Sequence, residues 1–132
     1  MNTKEATRIR VLVVVEDDPD MQLLIQLMLG AEPLFEFCGA AATACEAIAL
    51  AQAKQPELIV LDHFIEGQMM GLQAAPLIKA VAPDVHIILF TSHDLAVEVN
   101  REPSIDIWLR KSDIGKLLPT ARNLLGLKAS AN

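Results

Sequence analysis

The chain has 132 residues, about one ordinary domain, with 52% apolar and 21% charged residues and a mean hydropathy of +0.35. That is too apolar for a disordered chain, and apolar runs such as residues 11–15 fall far short of a bilayer span. A formal net charge of −6, with no Tyr and one Trp, speaks against a general nucleic-acid binder.

Residues 11–15 (VLVVV) are β-branched and too few for a helix, which predicts a strand buried on both faces. Pro19 opens a helix with Met21, Leu23, Leu24, Leu27 and Met28 that stops near Gly30. Asp18 and Asp20 suit its start, where the helix dipole favours acids. Residues 34–38 alternate around Glu36 and read as a weaker, half-exposed strand. Thr43 can cap a second helix with Ala44, Ala47, Ile48 and Ala51 on one face and Pro56 beyond its end. A strand over 58–61 and a helix over 71–81 follow, then a strand over 85–90 and a short helix over 95–101. A last strand over 105–109 and a helix over 116–125 complete the pattern. Pro76 and Pro119 lie inside helical patterns and fit best in a first turn, which moves those helix starts later.

Strands alternating with helices imply right-handed crossovers, one parallel sheet and helices on both faces, an α/β doubly wound domain. There is no repeat, low-complexity run or interdomain linker. The N-terminal MNTKEATRIR has no apolar core of the kind that directs export. Cys38 and Cys45 are too few for a disulfide framework; they read as small buried residues in a reducing cytoplasm.

Charge is distributed unevenly. Between Arg10 and Lys54 there is no Lys or Arg, but there are seven acids, among them the run Glu16-Asp17-Asp18 directly after the first strand. From Arg101 onward six bases face three acids. The strand ends carry polar residues: Glu16-Asp17 after the first, Asp62 after the third, Thr91-Ser92 after the fourth and Lys111 just beyond the fifth. In an open parallel sheet, ligand sites form outside the carboxyl ends of the strands. A single polar residue after a strand is an ordinary loop start; four strands of five ending this way define a candidate site. Three clustered carboxylates repel and one lysine cannot neutralise them, so a hard cation such as Mg²⁺ or Mn²⁺ is expected. A carboxylate beside such a cation, faced by a hydroxyl and an ammonium, is arranged for phosphoryl transfer.

The segments VLVVVEDDPDM, LIVLDHF, HIILFTS and IDIWLRKSDI, in this order, resemble the receiver domain of two-component response regulators over about residues 8 to 127. The resemblance implies a flavodoxin-like (βα)5 fold with strand order 2-1-3-4-5. It implies that Asp62 accepts a phosphoryl group from a histidine kinase or phosphotransfer protein. By the same likeness Asp17 is the direct Mg²⁺ ligand, Glu16 acts largely through water, and the Phe64 main-chain carbonyl is a further ligand. Thr91 matches the switch hydroxyl, Lys111 the phosphoryl-pairing lysine, and Trp108 stands where the switch aromatic is usually Tyr or Phe. On this reading residues 1–7 are a flexible N-terminus and 128–132 a short tail with no output domain. The protein is then a stand-alone cytoplasmic switch rather than an enzyme, acting on a downstream protein and without a membrane or nucleic-acid partner. Many receivers also pair as homodimers through the face of the fourth helix, fifth strand and fifth helix.

The chain departs from the family pattern at several places. The loop HFIEGQMMG after Asp62 lacks the usual proline and is one residue longer before Gly71. Ser112 replaces the proline after Lys111, and a cis bond there would cost about 2.5–4 kcal/mol, so a trans bond is expected. The interval from Thr91 to Lys111 is about two residues short and holds Pro103, which predicts a short or irregular fourth helix. His63, His86 and His93 lack metal-ligand spacing and read as loop or surface residues.

Phe64 and His93 stand two residues beyond Asp62 and Thr91, where in the family they flank the hydrolytic water. Phe64 offers that water no hydrogen bond, so a slowly lost phosphoryl group is expected. Competing readings are a receiver-like interaction module that takes no phosphate and an aspartate-nucleophile phosphatase. The first would lack an acid, the Thr or the Lys; the second wants an aspartate where Phe64 stands. No phosphate-binding glycine motif supports a nucleotide site.

Overall fold

Five parallel strands form one sheet in the order β2-β1-β3-β4-β5 in the computed structural model, which describes residues 8–127 except 66 and 68. The strands are β1 (Arg10–Val15), β2 (Phe35–Ala41), β3 (Leu58–Leu61), β4 (His86–Thr91) and β5 (Ile107–Arg110). Between them run α1 (Pro19–Leu29), α2 (Ala44–Lys54), α3 (Gly71–Val81) and α4 (Ala96–Asn100). A 3-10 turn, Lys111–Lys116, leads from β5 into α5 (Leu117–Leu124). The fold is the flavodoxin-like one expected, with the expected strand order. The flexible N-terminus and short tail expected at 1–7 and 128–132 lie outside the described residues.

Alternation along the central strands builds two cores. Leu12, Val14, Val60, Ile88 and Phe90 pack beneath Ile25 and Leu29 of α1 and Leu117 and Ala121 of α5. Val13, Val15, Ile59, Leu61, Ile87 and Leu89 pack beneath α2 and α3 through Ala44, Ala47, Ala51, Ala74, Ala75 and Ile78. Small alanines let those two helices lie close to the sheet. Because β1, β3 and β4 are covered on both faces, their only route to solvent is at their ends. The polar residues there are placed by this geometry.

Helix boundaries follow local chemistry. Asp18 caps α1 by accepting the Asp20 N–H at 3.0 Å, and Thr43 caps α2 by accepting the Glu46 N–H at 3.2 Å. α4 has five residues, as the short Thr91-to-Lys111 interval predicts, and the Lys111–Ser112 peptide is trans.

Several expectations need correction. β2 extends to Ala41 because a bulge between its pairings with Leu12 and Val13 absorbs Cys38. β5 starts at Ile107, two residues later than its apolar run, since Ile105 is buried in the preceding loop. α3 starts at Gly71 with Pro76 well inside it, not in a first turn; Pro119, by contrast, does sit in the first turn of α5. Cys45 is exposed and Cys38 only half-buried, because the first lies on the outer side of α2 and the second on an edge strand.

Candidate functional site

The carboxyl ends of β1, β3, β4 and β5 open into a cleft of about 280 Å³ lined by Glu16, Asp17, Asp18, Asp62, Phe64, Thr91, Ser92, His93 and Lys111. A larger cavity of about 430 Å³ lies around Arg10, Gln55, Glu57 and Leu125, at the opposite end of the strands, so size does not mark the site. What marks it is its chemistry.

Lys111 Nζ lies 2.8 Å from Asp62 Oδ2 and 2.7 Å from Glu16 Oε1. Burial by itself would lower the Lys111 pKa, but hydrogen bonds to Asp62 and Glu16 and their charges outweigh it and hold the ammonium above its ordinary value. Burial pushes Glu16 upward; the hydrogen bond from Lys111 and the Asp18 N–H offset only part, and the Asp62 charge adds to the rise. Glu16 is 1% exposed and Asp62 5%, whereas Asp17 is the more open of the three. Carboxylate oxygens of Glu16, Asp17 and Asp62 all lie within 4.8 Å of one another.

Two contacts hold Glu16: Gln22 Nε2 donates to its carbonyl, and the Asp18 N–H donates to its Oε2 at 3.1 Å. Across the cleft, Thr91 is fully buried and its Oγ1 has no hydrogen-bond partner among the described residues. A buried hydroxyl costs stability when it is left alone, which is a mark of a group kept for a task.

Trp108 pairs with Leu89 in the sheet and packs half-buried against the core on the side of α2 and α3, the side to which Thr91 also points. The Arg110 guanidinium lies 5.3 Å from the centre of its ring and pairs with Asp94 at 3.0 Å. The structure thus brings Glu16, Asp17, Asp62, Phe64, Thr91 and Lys111 into one cleft, while Trp108 stands behind it rather than in it.

His63 lies in the loop after β3, as expected; its ring is half-buried there and Nδ1 accepts the Leu72 N–H at 3.1 Å. No spacing signal could have shown this, since the bond joins the two ends of the long β3–α3 loop. The ring row continues outward: Phe64 stacks edge-on against His63 at 4.7 Å and tilts against His93 at 4.3 Å.

The doubly wound sheet thus gathers three carboxylates, a threonine and a lysine at its strand ends. Residues 12–109 match the response regulator receiver domain, and the chain belongs to that family. Among curated relatives, a protein-glutamate methylesterase/protein-glutamine glutaminase of Anaeromyxobacter dehalogenans is 39% identical over 66% of this chain and 25% of its own length. The response regulator protein VraR of Staphylococcus aureus is 32% identical over 80% of this chain and 51% of its own. The chain therefore spans a quarter to about half of these relatives.

Solved structures share the fold. The response regulator domain of Thermotoga maritima CheB aligns with a TM-score of 0.79 at 19% identity, over 92% of this chain and all of that one. A receiver domain of an HD domain-containing protein from Pseudomonas fluorescens aligns at 0.81 and 23% identity, over 96% and 93%. Receiver domains are phosphoacceptor switches that bind Mg²⁺ at an acidic pocket, and this chain carries an acidic cluster of Glu16, Asp17 and Asp62. Among the described residues no helix is long and apolar enough to cross a membrane.

Proposed function

We propose that this chain is a phosphorylation-driven signalling switch in which Asp62 takes a phosphoryl group from a phosphohistidine on a histidine kinase or phosphotransfer protein. The observation that carries this reading is Asp62 itself: a buried carboxylate 2.8 Å from an ammonium, clustered with the carboxylates of Glu16 and Asp17, in a cleft that also holds a buried hydroxyl with no partner among the described residues. The donor set fits a hard divalent cation, because three carboxylates against one lysine leave an excess of two negative charges in a small volume. Glu16, Asp17, Asp62 and the Phe64 carbonyl would hold Mg²⁺ or Mn²⁺, with Asp17 the direct ligand and Glu16 working through water. When bound, the cation neutralises charge on the phosphoryl oxygens.

The chain's own groups do the rest. An Asp62 carboxylate oxygen attacks phosphorus, the phosphorus–nitrogen bond breaks, and the imidazole leaves carrying the bonding pair and takes up a proton. Lys111 pairs with a phosphoryl oxygen as it now pairs with Asp62. Thr91 offers its hydroxyl to another, and the inward movement of that hydroxyl opens room on the sheet face that Trp108 shares. The surface of α4, β5 and α5 then changes, and it is the face for a downstream protein or a second copy of the chain.

Incubation with acetyl phosphate or beryllofluoride, with and without Mg²⁺, tests the proposal. A Mg²⁺-dependent mass increase with acetyl phosphate, lost in Asp62→Asn, is expected. No modification under any condition would instead identify a receiver-like module that works without phosphate.

A further inference from the structure

We infer that His63 is a positioning residue for phosphorylation: it fastens the turn that carries Asp62 and Phe64 to the first turn of α3. This rests on the reading of Asp62 as phosphoacceptor. The first N–H groups of a helix lack partners within the helix and are normally met by a capping side chain. In α3 the cap position falls on Met70, whose thioether is a poor acceptor. His63 supplies what is missing, from outside the helix. Its carbonyl accepts the Gly71 N–H at 2.9 Å and its ring Nδ1 accepts the Leu72 N–H at 3.1 Å. The ring is therefore the tautomer with its proton on Nε2, since Nδ1 is occupied as an acceptor.

The contact is drawn tight by Gly71, where a Cβ would overlap the Asp62 carbonyl oxygen and crowd the His63 Cα at 2.9 Å. The loop 63–70 is thus closed at its neck, with the phosphoacceptor on one side of the closure and a helix on the other. That helix is an anchor, because Ala74, Ala75 and Ile78 behind the neck are 0% exposed. On the site side the turn is equally specific. The Phe64 N–H donates to Asp62 Oδ1 at 3.3 Å while Lys111 takes Oδ2. The contact to Asp62 Oδ1, and the direction of the Phe64 carbonyl, therefore depend on the conformation at residue 63. The imidazole bond joins the turn beside Asp62 to the start of α3 at the neck of the loop.

The test compares His63→Leu, which removes the acceptor, with His63→Asn, whose side-chain oxygen can stand where Nδ1 stands. Phosphorylation rates with acetyl phosphate are measured over a Mg²⁺ titration, alongside melting temperatures and the exchange rate of the Leu72 amide. The expected result for His63→Leu is a rate about tenfold lower, a raised half-saturating Mg²⁺ concentration and faster Leu72 exchange. His63→Asn should keep rate, Mg²⁺ dependence and exchange near those of the wild type. An unchanged rate in His63→Leu overturns the inference, as does an equal loss in both variants or a loss that only follows the melting temperature. A wild-type chain that takes no phosphoryl group removes the underlying reading instead, and is told apart because the control itself fails.

Discussion

Glu16 and Phe64 show how single residues set the terms of this site. Burial raises the Glu16 carboxyl above its ordinary range, so the folded protein binds that proton more tightly than the unfolded chain does. The ionised group then costs stability at neutral pH, and the cost fades as pH falls through the folded value toward the ordinary carboxylate range. In Mg²⁺-free buffer, Glu16→Gln should raise the melting temperature at neutral pH and remove that acid-side gain, while weakening Mg²⁺ binding; melts over a pH series decide it. Phe64, 41% exposed and leaning on His93, gives a hydrolytic water nothing to bond to. Phe64→Asn should shorten the life of the Asp62 phosphoryl group several-fold, and an unchanged decay of the radiolabelled phosphoprotein would count against that role. The identity of both residues could be read directly, since each stands at a fixed distance from a strand end. The partnership of His63 with Leu72 could not, because eight intervening residues hide it.

At the scale of elements, the strands covered on both faces were the most legible. β3 begins and ends where its apolar run does, β1 starts one residue before its run, and β4 is shifted by one residue at each end. An edge strand is constrained on fewer sides, and β2 shows the consequence: its bulge at Cys38 and the close packing of Leu50 on Gly39, 3.0 Å from where a Cβ would stand, leave no regular alternation. α3 is the other exception. Pro76 sits six residues into it, exposed, and denies the Leu72 carbonyl its helical donor. Packing of Ala74, Ala75 and Ile78 outweighs that loss, which propensity alone cannot foresee. Pro76→Ala should therefore stabilise the fold, by about 1–3 kcal/mol in urea denaturation, without altering phosphorylation.

Across the whole molecule, the first and last elements are tied by contacts far apart in the chain. Arg122 donates to Glu32 at 3.0 Å between α5 and the turn after α1, and Arg10 donates to the Leu125 carbonyl at 3.1 Å. Glu32 is 8% exposed, so Arg122→Met leaves a buried carboxylate unpaired and should cost about 3 kcal/mol. Glu32→Leu in the same chain should recover much of that loss, as a double-mutant cycle in urea would show. By itself the sequence determined the order and kind of the elements, because their periods and punctuation are local. It also determined which residue types stand at the strand ends. Tertiary structure alone decided that Lys111 reaches both Glu16 and Asp62, that Thr91 is buried without a partner among the described residues, and that a histidine closes the loop beside Asp62. These depend on distances between segments up to 95 residues apart in the chain, which only the closed sheet brings within hydrogen-bond reach.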